Sequence, residues 1–163
     1  MADSLTAAAK AGQKEQVTSL ITGGVDVNSS DSTGRTALHW SVDTTKFAVV
    51  KELLDLSAKI DVLDGAGETP VHIAVRNCNG PNDTIGKMMV NVLLQRYTGP
   101  KRQLVDIQSK CGDTCLHIAV RSGNEAVLKA LIKNKPNVDL PTAQDLPEQA
   151  QHWRVRGPAV APT

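Results

Sequence analysis

Aromatic side chains are almost missing from this chain: two tryptophans, one tyrosine and one phenylalanine, 2% of its 163 residues. A core without them has to be assembled from leucine, valine, isoleucine and alanine. Such side chains suit close, regular helix stacking better than a bulky globular centre. The same scarcity removes the platforms on which nucleobases stack. Cysteine is scarce too. Three residues, an odd number at no framework spacing, exclude a disulfide-built fold and argue for a reducing compartment. No apolar run approaches the roughly 20 residues needed to span a bilayer, so no membrane partner is expected. Charge of one sign is also lacking. Eighteen basic residues stand against 17 acidic ones, a net charge of +1, so bulk electrostatics predict no nucleic-acid or acidic-membrane attraction. Met1-Ala2-Asp3-Ser4 has neither the basic nor the apolar block of a secretory signal. The expected compartment is the cytosol or nucleus.

What the chain does have is one short phrase written three times: Thr36-Ala37-Leu38-His39-Trp40-Ser41, Thr69-Pro70-Val71-His72-Ile73-Ala74 and Thr114-Cys115-Leu116-His117-Ile118-Ala119. Gly34, Gly67 and Gly112 each stand two residues before it. The copies begin at 36, 69 and 114, so the intervals are 33 and 45 residues. A phrase repeated at such a period signals a stacked repeat protein.

Helical periodicity fills the space between the copies. Leu5 to Lys10 are helix formers that Gly12 interrupts, and Val17, Leu20 and Ile21 share one face of a second helix. Gly23-Gly24 ends it. Val25-Asp26-Val27-Asn28 reads as extended and Asp31 to Gly34 as a turn. The stripe recurs as Val49, Val50, Leu53, Leu54, then Met89, Val90, Leu93, Leu94, then Val127, Leu128, Leu131, Ile132. Thr36 and Thr69 can cap the helices that follow them, and Pro70 suits a first helical position. Leu54 lies 18 residues after Thr36, but Leu94 lies 25 after Thr69; Asp61 lies seven after Leu54, but Asp106 lies twelve after Leu94. About seven residues were therefore added around Asn77 to Asp83 and about five around Tyr97 to Arg102. Both insertions read as loops, so the stack is expected to continue through them.

Gly-x-Thr-Pro-Leu-His-x-Ala, followed by a helix pair and a Gly-Ala-Asp-Val-Asn-like segment, resembles the ankyrin repeat. The match covers residues 2 to about 139, with Asn28-x-x-Asp31-x-x-Gly34 in register. The resemblance implies an all-α solenoid of about four helix-turn-helix units with β-hairpin-like loops. The units run roughly 2–33, 34–66, 67–111 and 112–139. A proline-containing tail, 140–163, is expected to be disordered or loosely packed, with at most one helical turn at Gln149 to Val155. Ala37 and Cys115 stand where the family prefers proline, and Ser57 and Lys135 where it prefers a helix-ending glycine. Each is expected to loosen its local turn. The resemblance also implies that the threonine and histidine of each phrase hydrogen-bond to one another and to backbone.

Chemistry has little support. His39, His72 and His117 occupy one repeat position, successive units apart, and no Cys-x-x-Cys pair exists. Neither metal nor other cofactor is expected. No nucleophile elbow, Walker loop or zincin helix is present, so no enzyme activity is expected. Lys101-Arg102 and Arg96 have only Tyr97 as an aromatic neighbour in sequence, and read as a solvated loop.

The resemblance places function on the surface, as a non-catalytic scaffold or adaptor, expected monomeric, that binds a protein partner. Carried over by repeat position, the hairpin tips are Ser32, Thr33 and Arg35; Gly65, Ala66 and Glu68; and Lys110, Cys111 and Asp113. The exposed first-helix positions are Asp43 and Thr44, Arg76 and Asn77, and Arg121 and Ser122. Trp40 aligns with Ile73 and Ile118, so it is expected between helices. Two other readings follow from resemblance. Inhibitors that mask Rel-type transcription factors carry phrases like Gly112 to Val120 and lengthened loops, although an acidic, proline-rich tail is missing here. Ankyrin kinase inhibitors are of similar size, although no residue singles out a kinase.

Overall fold

The computed structural model describes residues 2–78, 83–134 and 136. Among the described residues there are nine helices and no strand: α1 (Ala2–Ala11), α2 (Lys14–Thr22), α3 (Ala37–Asp43), α4 (Phe47–Asp55), α5 (Pro70–Arg76), α6 (Thr84–Arg96), α7 (Lys101–Asp106), α8 (Cys115–Ser122) and α9 (Glu125–Ile132). Consecutive helices pair as α1/α2, α3/α4, α5/α6 and α8/α9. The first members stack in the order α1, α3, α5, α8, and the second members in the order α2, α4, α6, α9. The aliphatic stripes close between these two layers. Leu5, Val17, Val50, Leu53, Val90, Leu93, Val127 and Leu131 are fully buried. No helix pair could bury its own stripe, so each unit's core is completed by its neighbours. Ile132, the last residue of the predicted stripe, stays 39% exposed, because no described helix follows α9 to cover it.

Each phrase begins a helix with the same device. The backbone N–H of Thr36, Thr69 and Thr114 donates to Nδ1 of the histidine three residues on, at 3.1, 3.2 and 3.0 Å. In two copies the threonine hydroxyl accepts in return from the histidine N–H, His72 to Thr69 and His117 to Thr114. This is a capping box with histidine in the third position. With Nδ1 an acceptor, the ring proton sits on Nε2. His39 Nε2 then donates to the Glu68 carbonyl at 3.1 Å, and His72 Nε2 to the Ile107 carbonyl at 3.0 Å. The ring thus fastens a helix start to the loop of the next unit.

The loops are tight turns, and strand pairing within the described residues reduces to one antiparallel bridge, Ser30 with Thr36. Asp31 and Asp64 organise two of them. Oδ1 of Asp31 accepts from the N–H groups of Thr33 and Arg35, and Oδ1 of Asp64 from those of Ala66 and Glu68. Neighbouring turns are bonded directly, Gly65 N–H to the Thr33 carbonyl at 2.9 Å and Lys110 N–H to the Ala66 carbonyl at 3.0 Å. Gly34 has φ +77°, and a Cβ there would lie 2.8 Å from the Gly65 nitrogen. Left-handed backbone and close approach together admit only glycine.

The first insertion lies outside the helices, as expected, at its described residues Asn77, Cys78 and Asp83; the second differs in part. Tyr97 to Pro100 is irregular, as expected, but Lys101 and Arg102 begin α7, whose Leu104 and Val105 are buried and which packs on α8. A six-residue helix is marginal alone, and this tertiary burial holds it. The first insertion lengthens α6 to 13 residues, against nine in α4 and eight in α9. Asp83 caps it by accepting from Gly86 N–H, and Gly86 lies so close to Cys78 that a Cβ would collide with Sγ. The stack continues across both insertions through α5/α8 and α6/α9 contacts. The expectations for 79–82, Lys135 and the segment from 137 onward, including the tail, lie outside the described residues.

Ser57, expected to loosen its turn, takes the left-handed backbone of the glycine it replaces, with φ +66°. Thr45 has φ +56° and stands where α1 and α8 are followed by Gly12 and Gly123. A β-branched residue there is an outlier.

Two predictions follow from these geometries. Burial holds His39 and His72 below the ordinary value of 6.5, against the opposing effect of their carbonyl partners. Below pH 6.5 the unfolded chain therefore takes up protons that the fold refuses. Stability is complete above that pH and falls as pH drops through it. Urea melts at pH 8 and pH 5 should show this loss, and His72→Leu should reduce the difference while costing about 2–4 kcal/mol at pH 8 through the unpaired Thr69 N–H and Ile107 carbonyl. Conversely, Thr45→Gly should stabilise by about 0.5–1 kcal/mol, seen as a raised Tm, by relieving the left-handed backbone.

Candidate functional site

The expected surface residues fall into two groups. Ser32, Thr33, Gly65, Ala66, Lys110 and Cys111 are exposed at the turn tips. Arg35, Glu68 and Asp113, in the position following each turn glycine, are drawn inward instead. Their side chains are only 20%, 11% and 19% exposed. Each pairs with the residue eight positions later, at the end of the first helix: Arg35 Nη1 with Asp43 at 3.0 Å, Arg76 with Glu68, and Arg121 Nη2 with Asp113 at 2.7 Å. Glu68, expected at a tip, is a buried anchor for Arg76.

The repeat of this pair has a physical cause. The turn brings the chain onto a helix whose residue at the end of its second turn lies beside the turn base, so one spacing brings the two positions together in each of the three units that carry the phrase. The polarity is not constant. In the first copy the cation is on the turn and the acid on the helix; in the other two the order is reversed. Arg35 also donates from Nε to Asp64 of the following turn at 3.2 Å. Asp64 is pushed up by burial, but its bonds from Glu68, Ala66 and Arg35 outweigh that and hold it below the usual carboxylate range. Asp43 is shared as well, because Asn77 Nδ2 donates to its carbonyl and to Oδ1 at 3.1 and 3.2 Å. Thr44 is half-buried and donates to the Trp40 carbonyl, whereas Ser122 is exposed and donates to the Ala119 carbonyl.

The arginines in the later copies are the accessible partners. Arg76 and Arg121 are 45% and 60% exposed, over carboxylates that are not. Each guanidinium is oriented from beneath and keeps further N–H donors at the surface.

Trp40 departs from expectation. Ile73 and Ile118, at its repeat position, are buried, but Trp40 is half-exposed. Its Nε1 donates to Asp31 Oδ2 at 2.6 Å, and its ring is faced by Lys10 Nζ at 4.4 Å and Arg35 Cζ at 4.8 Å. Indole is too large for the isoleucine site, and a buried indole N–H needs an acceptor. Repeat register alone could not show this; the tryptophan's polar handle was the available signal.

Among the described residues no group of three metal-ligating side chains converges, and each phrase histidine already has its Nδ1 engaged by a threonine. Cys78 and Cys115 are buried and Cys111 is exposed. Burial pushes the Cys78 thiol up to about 12 and raises that of Cys115; neither is a nucleophile near neutral pH. No helix of the described residues is long and apolar enough to cross a membrane.

Trp40→Ala removes an indole–carboxylate hydrogen bond and two cation–π contacts, of which the one from Lys10 joins α1 to the second unit. It should lower stability by about 2–3 kcal/mol in chemical denaturation. An unchanged midpoint would show the ring to be a bystander.

Comparison with known proteins agrees with this architecture. A family model described as ankyrin repeats in three copies matches residues 5–99, and a single ankyrin-repeat model matches 111–143. The human neurogenic locus notch homolog protein 1 is 32% identical over 126 residues, 77% of this chain and 4% of that protein. Inversin from dog is 31% identical over 134 residues, and human inversin 30% over 134, in each case 82% of this chain and 11% and 12% of theirs. The chain thus spans a small fraction of the length of these relatives. Stacked helix pairs, the threonine–histidine clasp in each phrase and the family matches together show that this chain belongs to the ankyrin repeat family, whose members are generally protein–protein interaction modules.

Proposed function

We propose that the chain is a non-catalytic scaffold or adaptor that binds a protein partner along the turn tips and the exposed, concave side of its first helices. The observation that carries this reading is the pair of pre-oriented arginines. Arg76 and Arg121 occur at one repeat position on successive units, each held by a less exposed carboxylate and each open to solvent. A guanidinium held in place loses little conformational freedom when it meets a partner's carboxylate or carbonyl, so more of the interaction appears as affinity. The exposed tips Ser32, Thr33 and Lys110 flank this row with donors, and Asp43, Asn77, Thr44 and Ser122 supply neighbouring polar groups. Trp40, half-exposed beside Arg35, adds a large rigid contact of the kind enriched at interface hot spots.

The masking of a Rel-type transcription factor and the regulation of a kinase or other enzyme would use this same face. No particular side chain favours either, so the broader reading is the conclusion.

The test begins with affinity purification of the tagged chain from its native cell and mass spectrometry, followed by binding measurements on the recovered partner. Arg76→Ala with Arg121→Ala should weaken that partner by about tenfold or more, with helical content unchanged by circular dichroism. An unaltered Kd would remove this face from the interaction.

A further inference from the structure

The layer of second helices carries a feature that the first-helix face does not explain. Successive second helices are tied by salt bridges in two of the three grooves between them. Lys14 of α2 pairs with Glu52 of α4 at 3.0 Å, and Arg96 of α6 pairs with Asp55 of α4. Among the described residues the third groove, between α6 and α9, has no such tie. Helix α6 contains no acidic residue. The single acid of α9, Glu125, pairs within its own helix with Lys129 at 3.1 Å. Asp83, four residues before Lys87, is engaged in capping α6.

Two adjoining hollows of about 400 and 220 Å³ run along this groove and share Asn91, Ala130 and Lys133. Lysines stand on every side: Lys87 on α6, Lys129 and Lys133 along α9, and Lys101 at the start of α7. Among the described residues Lys87, Lys101 and Lys133 enter no ion pair. Four ammonium groups against one carboxylate make a local positive field on a chain whose net charge is +1. Like charges facing across a groove repel, and an anionic occupant relieves that repulsion.

We propose that the α6/α9 groove is a second docking surface, which takes an extended acidic segment of a partner protein. Its dimensions and chemistry favour a peptide over other polyanions. From Glu125 to Asn134 the α9 wall runs about 13 Å at about 1.5 Å per residue, room for about four extended residues at about 3.3 Å each. Ala126 and Ala130 leave space on that wall, and the amides of Asn91, Gln95 and Asn134 offer donors and acceptors to a peptide backbone. Nucleic acid would want aromatic stacking, and no aromatic residue lines either hollow. A flat anionic membrane would engage lysines on a protruding face rather than within a groove. This surface lies on the other helix layer from Arg76 and Arg121, so it stands or falls independently of the proposed first-helix interface.

The probe is a short fluorescein-labelled peptide of alternating glutamate and serine, with its glutamine–serine analogue as the uncharged control, titrated with the full chain by fluorescence anisotropy. Saturable binding of the acidic peptide alone is expected, weakening as salt rises past physiological strength. Lys87→Glu with Lys133→Glu should weaken it by at least about tenfold. Lys51→Glu with Lys59→Glu, the same charge change at exposed sites elsewhere, should change it less than about twofold. Amide NMR shifts confined to α6, α7 and α9 should accompany binding. All four substituted lysines are exposed, so circular dichroism should show both variants folded. Equal loss in both double variants would reduce the effect to net charge and overturn the proposal. So would no saturable binding, or tighter binding of single-stranded RNA or phosphatidylserine vesicles than of the peptide.

Discussion

One imidazole ring, used once in each of the three units that carry the phrase, is the contact on which the stack depends. Its Nδ1 accepts from the threonine N–H of its own helix start, and its Nε2 donates into the turn of the next unit, as His39 does to Glu68 and His72 to Ile107. Both bonds require the neutral ring in one tautomer. Burial keeps it neutral, and the threonine N–H selects the tautomer. The separation of units is thereby set by the width of a ring, and the bonds between turns, Gly65 to Thr33 and Lys110 to Ala66, fall into place at that separation. Aliphatic burial supplies the bulk of the stabilisation, but apolar contact is non-directional; the clasp sets the register.

Charge is then distributed on two levels. On the first-helix face, each turn shares an ion pair with its own helix, and the reversal of sign at Arg35–Asp43 places unlike charges beside one another between the second and third units. The third and fourth units repeat the same sign, so Arg76 and Arg121 form a positive edge and Glu68 and Asp113 a negative one beneath it. On the second-helix layer, cross-helix pairs close two grooves and lysines line the third. A chain near neutral overall therefore presents two distinct surfaces: a row of balanced ion pairs in which Arg76 and Arg121 are the accessible partners, and a groove in which lysines outnumber the one carboxylate.

Much of this was legible in the chain. The threefold phrase, the aliphatic stripes and the turn glycines are signals contained within one unit, and the paired helices, α7 apart, fall where those signals put them. Ser57 in left-handed backbone was readable from its place at a helix end. The helix over 101–106 was not, because six residues after a proline carry no helical period worth the name; Leu104 and Val105 become helical by packing on α8. Thr45 gave no warning, since a threonine at a turn is ordinary until its φ is known. Trp40 shared a register with isoleucines, and its half-exposed setting depends on Lys10 from the preceding unit.

The division follows the range of the forces. Sequence by itself determined the fold class, the helix pairs and the histidine positions, because capping, left-handed turns and amphipathic spacing act within a few residues. Only the stacked structure decided which charges are consumed and which remain available. Glu68 became a buried anchor, Arg76 and Arg121 stayed open, and the lysines of α6 and α9 were gathered along one groove, because those outcomes depend on a turn folding back beside its own helix or on helices of different units packing together.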